Sequence, residues 1–311
     1  MPTVLTVTLN PAYDIHYTVP GFSICQESYI EKTVISAGGK GVNIARAMQK
    51  NGVPCIAVIT AGHDNSEAFR RALNKENVQF RLFDVPGSIR ENITIHAPGL
   101  EDTRISQDDF SLSAPLCMQV AEELKRTADP NQIVAVAGRF PKGLSKSEIL
   151  RFLSTLRDAG MRLVLDSNSL TLDDLMSLKP WLIKPNQHEL SSLFRCEISN
   201  RQDALLAAQA LRDKGITNVM VTLGGEGIAF AGEGGANFLV FAPSVEVFST
   251  VGAGDSTIAG FLCGIQKQTE PDEIVRLACA FGTAACITEG TTPPLAQDIA
   301  RLVEKVKVLA C

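Results

Sequence analysis

The sequence predicts an α/β fold: a doubly wound, mostly parallel sheet carrying a small β-sheet lid. Three observations lead there. Short β-branched runs alternate with helical patterns of about 10–15 residues, as parallel strands joined by crossover helices do. Polar residues recur where those runs stop: Asp14, Arg139, Asp166, Lys184, Asn186, Thr222 and Gly224. Two further stretches alternate at period two and leave the main body. In open sheets of this kind ligands bind beyond the carboxyl ends of the strands, so the polar set marks one shared cleft.

Residues 3–9 are β-branched and apolar and open the chain as a strand that Asn10-Pro11 ends. Residues 15–34 alternate polar and apolar around a Pro20-Gly21 turn and form short outlying strands. Gly38-Gly39-Lys40-Gly41 is a loop before a helix over 42–50. A strand at 55–60, an amphipathic helix at 66–75 and a strand at 80–83 repeat the unit. Residues 92–96 alternate and pair with the segment after Asp14 as a small sheet outside the core, over roughly 12–36 and 88–106. Strands at 132–137, 161–165, 182–184 and 219–222 alternate with helices at 146–158 and 202–214. A hairpin pairs 228–230 with 238–241, and helices cover 255–268, 272–287 and 295–308. No linker or repeat divides the chain, so 1–311 reads as one domain.

At 45% hydrophobic and 20% charged, the 311 residues can bury a core without staples. The net charge of −5, without a basic run, argues against a nucleic-acid partner. Eight scattered cysteines have no C-x-x-C pair and no histidine in ligand spacing, which argues against zinc and makes most of them core residues. With no signal peptide and no membrane-spanning run, the expected location is the cytosol.

The central stretch is Ser249-Thr250-Val251-Gly252-Ala253-Gly254-Asp255-Ser256-Thr257, followed by an apolar helix. Glycines before a helix expose N–H groups, and the helix N-terminus attracts an anion. Asp255 beside that site can take a proton from an attacking hydroxyl while the amides stabilise a transferring phosphoryl group. A plain N-terminal cap is the competing reading. Lys184-Pro185-Asn186 with Glu189 reads as a near capping box, and Glu189 is also placed to act on magnesium through water. Thr222-Leu223-Gly224-Gly225-Glu226-Gly227 is either a glycine turn or a nucleotide contact. Arg90 and Arg104 flank the lid strand; on a closing lid they would clamp a phosphate. Gly38-Gly39-Lys40-Gly41 lacks the Ser or Thr of a Walker A loop, and no G-x-G-x-x-G follows the first strand. A P-loop kinase and a nicotinamide oxidoreductase are therefore disfavoured.

Taken together, these elements resemble the ribokinase-type sugar kinases, in particular the phosphofructokinase-B branch, from end to end. Residues 37–45 resemble its early signature and residues 249–256 its late one. The resemblance implies ATP, Mg2+ and phosphoryl transfer to a sugar hydroxyl. It implies Asp255 as base, with Gly252, Ala253 and Gly254 as the anion hole. Asp14, Gly39, Lys40 and Asn43 would hold the acceptor, with Arg90, Arg104 and Arg139 near its phosphate. Lys184, Asn186, Thr222, Gly224, Gly227, Gly282 and Cys286 would contact nucleotide. The resemblance also makes the small sheet over roughly 12–36 and 88–106 a lid, which would form a homodimer interface. Residues 6–14 look like the subgroup acting on hexose monophosphates, so fructose 1-phosphate is the first expected acceptor; tagatose 6-phosphate and fructose 6-phosphate are the alternatives. Gly138-Arg139-Phe140-Pro141 departs from the family's Gly-Ser-Leu-Pro run and adds charge and bulk beside the acceptor. That departure keeps a silent binding homologue as the rival reading.

Overall fold

The computed structural model describes residues 3–101, 103–108 and 110–311. Its main sheet has ten strands. In chain order these are β1 (Val4–Thr8), β4 (Cys55–Gly62), β5 (Gln79–Val85), β8 (Ile133–Ala137), β9 (Arg162–Asp166), β10 (Leu182–Ile183), β11 (Asn218–Thr222), β12 (Ile228–Ala231), β13 (Asn237–Phe241) and β14 (Lys307–Ala310). Their spatial order is β14-β13-β12-β11-β10-β9-β8-β1-β4-β5. From β11 to β5 every neighbour is parallel, and β12, β13 and β14 add on antiparallel. The chain leaves β1 toward β4 and β5, then returns to β8 on the other side. The strand order therefore reverses at β1, and a crevice opens there beyond the carboxyl ends.

Alternate residues of β1 face opposite layers. Val4 packs with α1 (Lys40–Lys50), α2 (Ser66–Lys75), α8 (Ala253–Lys267), α9 (Pro271–Ala285) and α10 (Ala296–Val303). Leu5 and Val7 pack with α3 (Ala114–Arg126), α4 (Lys146–Asp158), α5 (Leu172–Leu178), α6 (Gln187–Phe194) and α7 (Arg201–Asp213). Helices thus cover both faces, which is why β1 is buried along its whole length and β8 is apolar throughout. Cys55, Cys117, Cys263 and Cys279 are buried in these layers, while Cys25, Cys196 and Cys311 are exposed.

The second sheet is the small separate sheet that the alternating segments predict, in the place given to the lid. Its order is β3-β2-β6-β7, with β2 (Ala12–Thr18), β3 (Lys32–Gly38), β6 (Arg90–His96) and β7 (Thr103–Ser106). The parallel β2–β6 pairing puts Asp14 opposite Asn92. Lys32 on β3 pairs with Glu289 at 3.0 Å, and the Ser36 and Thr291 hydroxyls lie 3.3 Å apart, so the lid rests on the loop after α9.

Three expectations are corrected. The helix read over 295–308 stops at Val303, and Lys307–Ala310 becomes the edge strand β14. Pairing with β13 satisfies its backbone, a long-range gain that local periodicity does not report. Helices α3 and α5 occupy stretches left without an element. Both carried signals: Pro115 in the first turn of α3, and a capping box between Thr171 and Asp174 for α5.

Helices α8 and α9 meet through glycine. A side-chain carbon on Gly260 would lie 2.8 Å from the Leu277 carbonyl oxygen and 2.8 Å from Phe281 Cβ. Gly260→Ala is therefore expected to lose about 1–3 kcal/mol to overpacking, outweighing a helix-propensity gain of about 1 kcal/mol. A lowered urea midpoint with an unchanged slope checks this.

Candidate active site

Gly252 precedes α8 in the left-handed region, at φ 80° and ψ −3°. That conformation suits glycine and turns the chain so that the next amides open the helix. The amides of Gly254 and Asp255 lie in the first turn, where no helical acceptor exists. Lys184 approaches this end closely. A carbon added to Gly254 would lie 3.1 Å from its Nζ, so glycine here lets an ammonium reach the helix N-terminus.

Asp255 is 6% exposed. Its Oδ2 accepts from Asn43 Nδ2 at 2.9 Å, which joins the first turns of α1 and α8. Asn43 Oδ1 is buried without a protein partner, an acceptor aimed at a group the protein does not supply. Burial pushes the Asp255 carboxyl up to about 7, helped by the charge of Asp166; Lys40, the Asn43 bond and Lys184 oppose the rise. A carboxyl in that range is suited to accept a proton near neutral pH.

Asp166 ends β9 and is 3% exposed. Its Oδ2 accepts from Lys40 Nζ at 3.2 Å, and its Oδ1 lies 3.6 Å from Lys184 Nζ. Two lysines from opposite sides of the crevice thus converge on one carboxylate. Burial disfavours the Lys40 charge, yet Asp166, Asp255 and Glu189 outweigh it and raise the ammonium above its ordinary value. Arg139 is exposed in the loop after β8. It follows Gly138, which takes φ 106° and donates its amide to the Asp166 carbonyl at 2.9 Å. The backbone leading into Arg139 is therefore held to the end of β9.

On the lid, Asp14 accepts from Asn92 Nδ2 at 2.9 Å. Arg90 donates to Asn92 Oδ1 at 2.8 Å and to Asn10 Oδ1 at 3.0 Å. A side chain on Gly38 would overlap the Asp14 carboxylate, and one on Gly39, which takes φ 109°, would meet Thr8 Cγ2 at 2.7 Å, so the first glycine keeps backbone close to Asp14 and the second keeps it close to the end of β1. Arg104 stands opposite Thr94 across β6–β7, on the sheet face that carries Asn92 and Asp14, and is exposed.

On the other flank, Asn186 bridges to Thr222, whose amide donates to the Pro185 carbonyl at 3.0 Å. The capping box is present: Glu189 N donates to Asn186 Oδ1 at 2.8 Å, and Asn186 N to Glu189 Oε2 at 2.9 Å. Gly224 and Gly227 have φ 58° and 105° and shape the turn after β11. Gly282 faces the Thr257 hydroxyl, so it also serves the α8–α9 contact. Cys286 follows α9, and its carbonyl accepts from the amides of Phe248 and Ser249 at 2.8 and 3.2 Å. It thereby pins the loop that leads into Gly252.

A cavity of about 800 Å³ is walled by Asp166, Lys184, Asn186 and Glu189 and by apolar Leu175 and Phe194. Asp14, Asn43, Arg90 and Asp255 are not on its walls. The structure therefore brings predicted residues together in four groups: Asp14 and Arg90 joined through Asn92, the Asn43–Asp255 pair, the Lys40–Asp166–Lys184 cluster, and Asn186 with Glu189 and Thr222. Arg104 is in none of these groups and lies on the exposed strand β7, on the face that carries Asn92 and Asp14.

Residues 8–298 match the pfkB family of carbohydrate kinases. The chain belongs to that family. It is 30% identical over 285 residues to the 1-phosphofructokinase of Haemophilus influenzae, covering 92% of this chain and 91% of that one. The 1-phosphofructokinase of Bacillus subtilis is 29% identical over 308 residues, 98% of this chain and 99% of the other. Among solved structures, phosphofructokinase-2 from Escherichia coli in complex with substrates and products gives a TM-score of 0.91 at 27% identity, over 98% of this chain and 99% of that one. The protein is thus a phosphotransferase, a sugar-phosphate kinase with a ribokinase-like fold.

Asn10, Asn92 and Asp166 join the site of this pfkB kinase without a motif of their own. Asn92 had one visible signal, an amide in mid-strand where β-branched residues are preferred. Asp166 was legible only as a carboxylate at a strand end. No helix among the described residues is long and apolar enough to cross a membrane.

Proposed function

We propose that this cytosolic pfkB kinase transfers the γ-phosphoryl group of ATP to a hexose phosphate, with fructose 1-phosphate as the first acceptor. The observation that carries the reading is Asp255: a buried carboxyl held by Asn43, in the first turn of a helix whose N-terminus also meets Lys184. The acceptor hydroxyl would lie against Asp255, with a neighbouring hydroxyl donating to Asn43 Oδ1. Asp255 takes the hydroxyl proton as the oxygen–phosphorus bond forms. The bond from the γ-phosphorus to the bridging oxygen breaks, and ADP leaves with its electron pair. Amides of Gly252 and Gly254, with Lys184 and Lys40, stabilise the charge on the transferring group, while the Ala253 amide donates to the Thr250 carbonyl at 3.3 Å and would have to turn from it to join them; positioning and charge supply most of the catalysis. Asp14 and Gly39 would hold sugar hydroxyls, and Arg90, Arg104 and Arg139 the acceptor phosphate. Asn186, Thr222, Gly224, Gly227, Gly282 and Cys286 would border the nucleotide.

Magnesium fits the donor set only as a largely hydrated ion. Among the described residues no three His, Cys, Asp or Glu side chains cluster to hold a metal, and Glu189 spends one oxygen on the Asn186 amide. Its other oxygen would hold a coordinated water, and the ion when bound would neutralise phosphate charge. Dimerisation through the lid is supported by exposed Ile24, Tyr29, Ile30, Ile35 and Ile105 on and beside the lid strands.

The test is ADP release across fructose 1-phosphate, fructose 6-phosphate, tagatose 6-phosphate and their free sugars. Turnover with fructose 1-phosphate at the highest kcat/KM is expected. Silence across the panel with ATP still bound would replace the kinase reading by that of a binding homologue.

A further inference from the structure

Asn92 is 7% exposed in the middle of β6. A buried amide is tolerated when both of its ends are hydrogen-bonded. Here both are. Nδ2 donates to Asp14 Oδ1 at 2.9 Å, and Oδ1 accepts from Arg90 Nη1 at 2.8 Å. The parallel register sets Asp14 directly opposite Asn92, and Arg90 is two residues before it on the same face. The amide orientation follows from its neighbours, since a carboxylate only accepts and a guanidinium only donates.

We propose that Asn92 is a positioning residue of the acceptor site, whose amide holds Asp14 and Arg90 at a set separation and keeps them from pairing with each other. A carboxylate and a guanidinium on one buried face would otherwise form a bidentate ion pair, consuming the groups needed for ligand. A neutral amide between them satisfies both without adding charge. Arg90 is anchored further by Asn10 just past the end of β1, so the chain Asp14–Asn92–Arg90–Asn10 also ties the lid to the main sheet. One acceptor carrying a hydroxyl and a phosphate would then be read at a fixed spacing. Discrimination between a sugar phosphate and the free sugar depends on this amide. The inference rests on the sugar-phosphate reading above.

The experiment compares wild type with Asn92→Leu, which lets Asp14 and Arg90 pair, and Asn92→Asp, which keeps the shape but replaces the donor by a second carboxylate. Fructose 1-phosphate and fructose are the acceptors, and ATP binding is measured by calorimetry. We expect KM for fructose 1-phosphate to rise about tenfold or more in both variants. The kcat should change far less, KM for ATP should hold, and fructose should be penalised less than its phosphate. An unchanged KM for the phosphate, or a parallel loss for both acceptors and ATP, overturns the proposal in favour of a purely structural amide. Loss of ATP binding in both variants does the same. Wild type inert toward every sugar phosphate overturns the underlying reading and the proposal with it; an active wild type with indifferent variants overturns the proposal alone.

Discussion

Replacing Asp255 by Asn is expected to lower kcat by about 10²- to 10⁴-fold, the usual loss for a general base, while making the protein harder to melt at pH 8. The two effects share one cause. The carboxyl is 6% exposed and is pushed up to about 7, against 3.8 for an unburied carboxyl. A native value above the unfolded one means that the folded state binds more protons between those limits. Stability tied to this group is complete below pH 3.8 and is lost as pH rises to about 7. At pH 8 the wild type carries the full cost of an ionised, buried carboxylate. Asn removes it, keeps the shape, and still accepts from Asn43. The gain in melting temperature should shrink as the pH is lowered toward 5. ATP affinity should change little, since the amides of the first turn remain. Steady-state kinetics, calorimetry and melts at the two pH values check this. A variant with wild-type kcat would remove Asp255 from the role of base. One that loses turnover but melts lower at pH 8 would contradict the burial argument.

What could be read from the sequence divides by distance along the chain. The helices Ser66–Lys75 and Lys146–Asp158 have their expected ends, because an amphipathic stripe and, in the second, a Ser145–Glu148 capping box are local facts. The Gly252–Asp255 turn was legible for the same reason: adjacent residues specify the glycine turn and the helix that follows it. The charge cluster was not. Lys40 and Asp166 are 126 residues apart, and Asn92 and Asp14 are 78 apart. Those contacts exist only once the sheet order is fixed. Strand β14 is the same case in the main sheet, since its pairing to β13 joins segments far apart in the chain.

The cluster around Asp166 predicts two variants that move the pH profile in opposite directions. Lys184 and Asp166 are 5% and 3% exposed, and their charged atoms lie 3.6 Å apart. Lys184→Met leaves Asp166 buried with Lys40 as its remaining lysine partner. Removing one member of a buried pair typically costs about 3–5 kcal/mol; Lys40 at 3.2 Å retains part of the compensation, which places the loss toward the lower end. Lys184 also restrains the pKa of Asp255, whereas Asp166 raises it. Below about pH 7 the wild-type kcat/KM should fall tenfold per unit as Asp255 is protonated. Lys184→Met should move that limb to higher pH, and Asp166→Asn to lower pH, because the first removes an opposite charge and the second a like one. The profile of kcat/KM reports the free enzyme, so no bound phosphate obscures the sign. Lys184→Met should also raise KM for ATP, since an ammonium at the helix N-terminus is lost, and Asp166→Asn should not. Limbs displaced in the same direction, or fixed in both variants, would separate Asp166 and Lys184 from the ionisation that limits turnover.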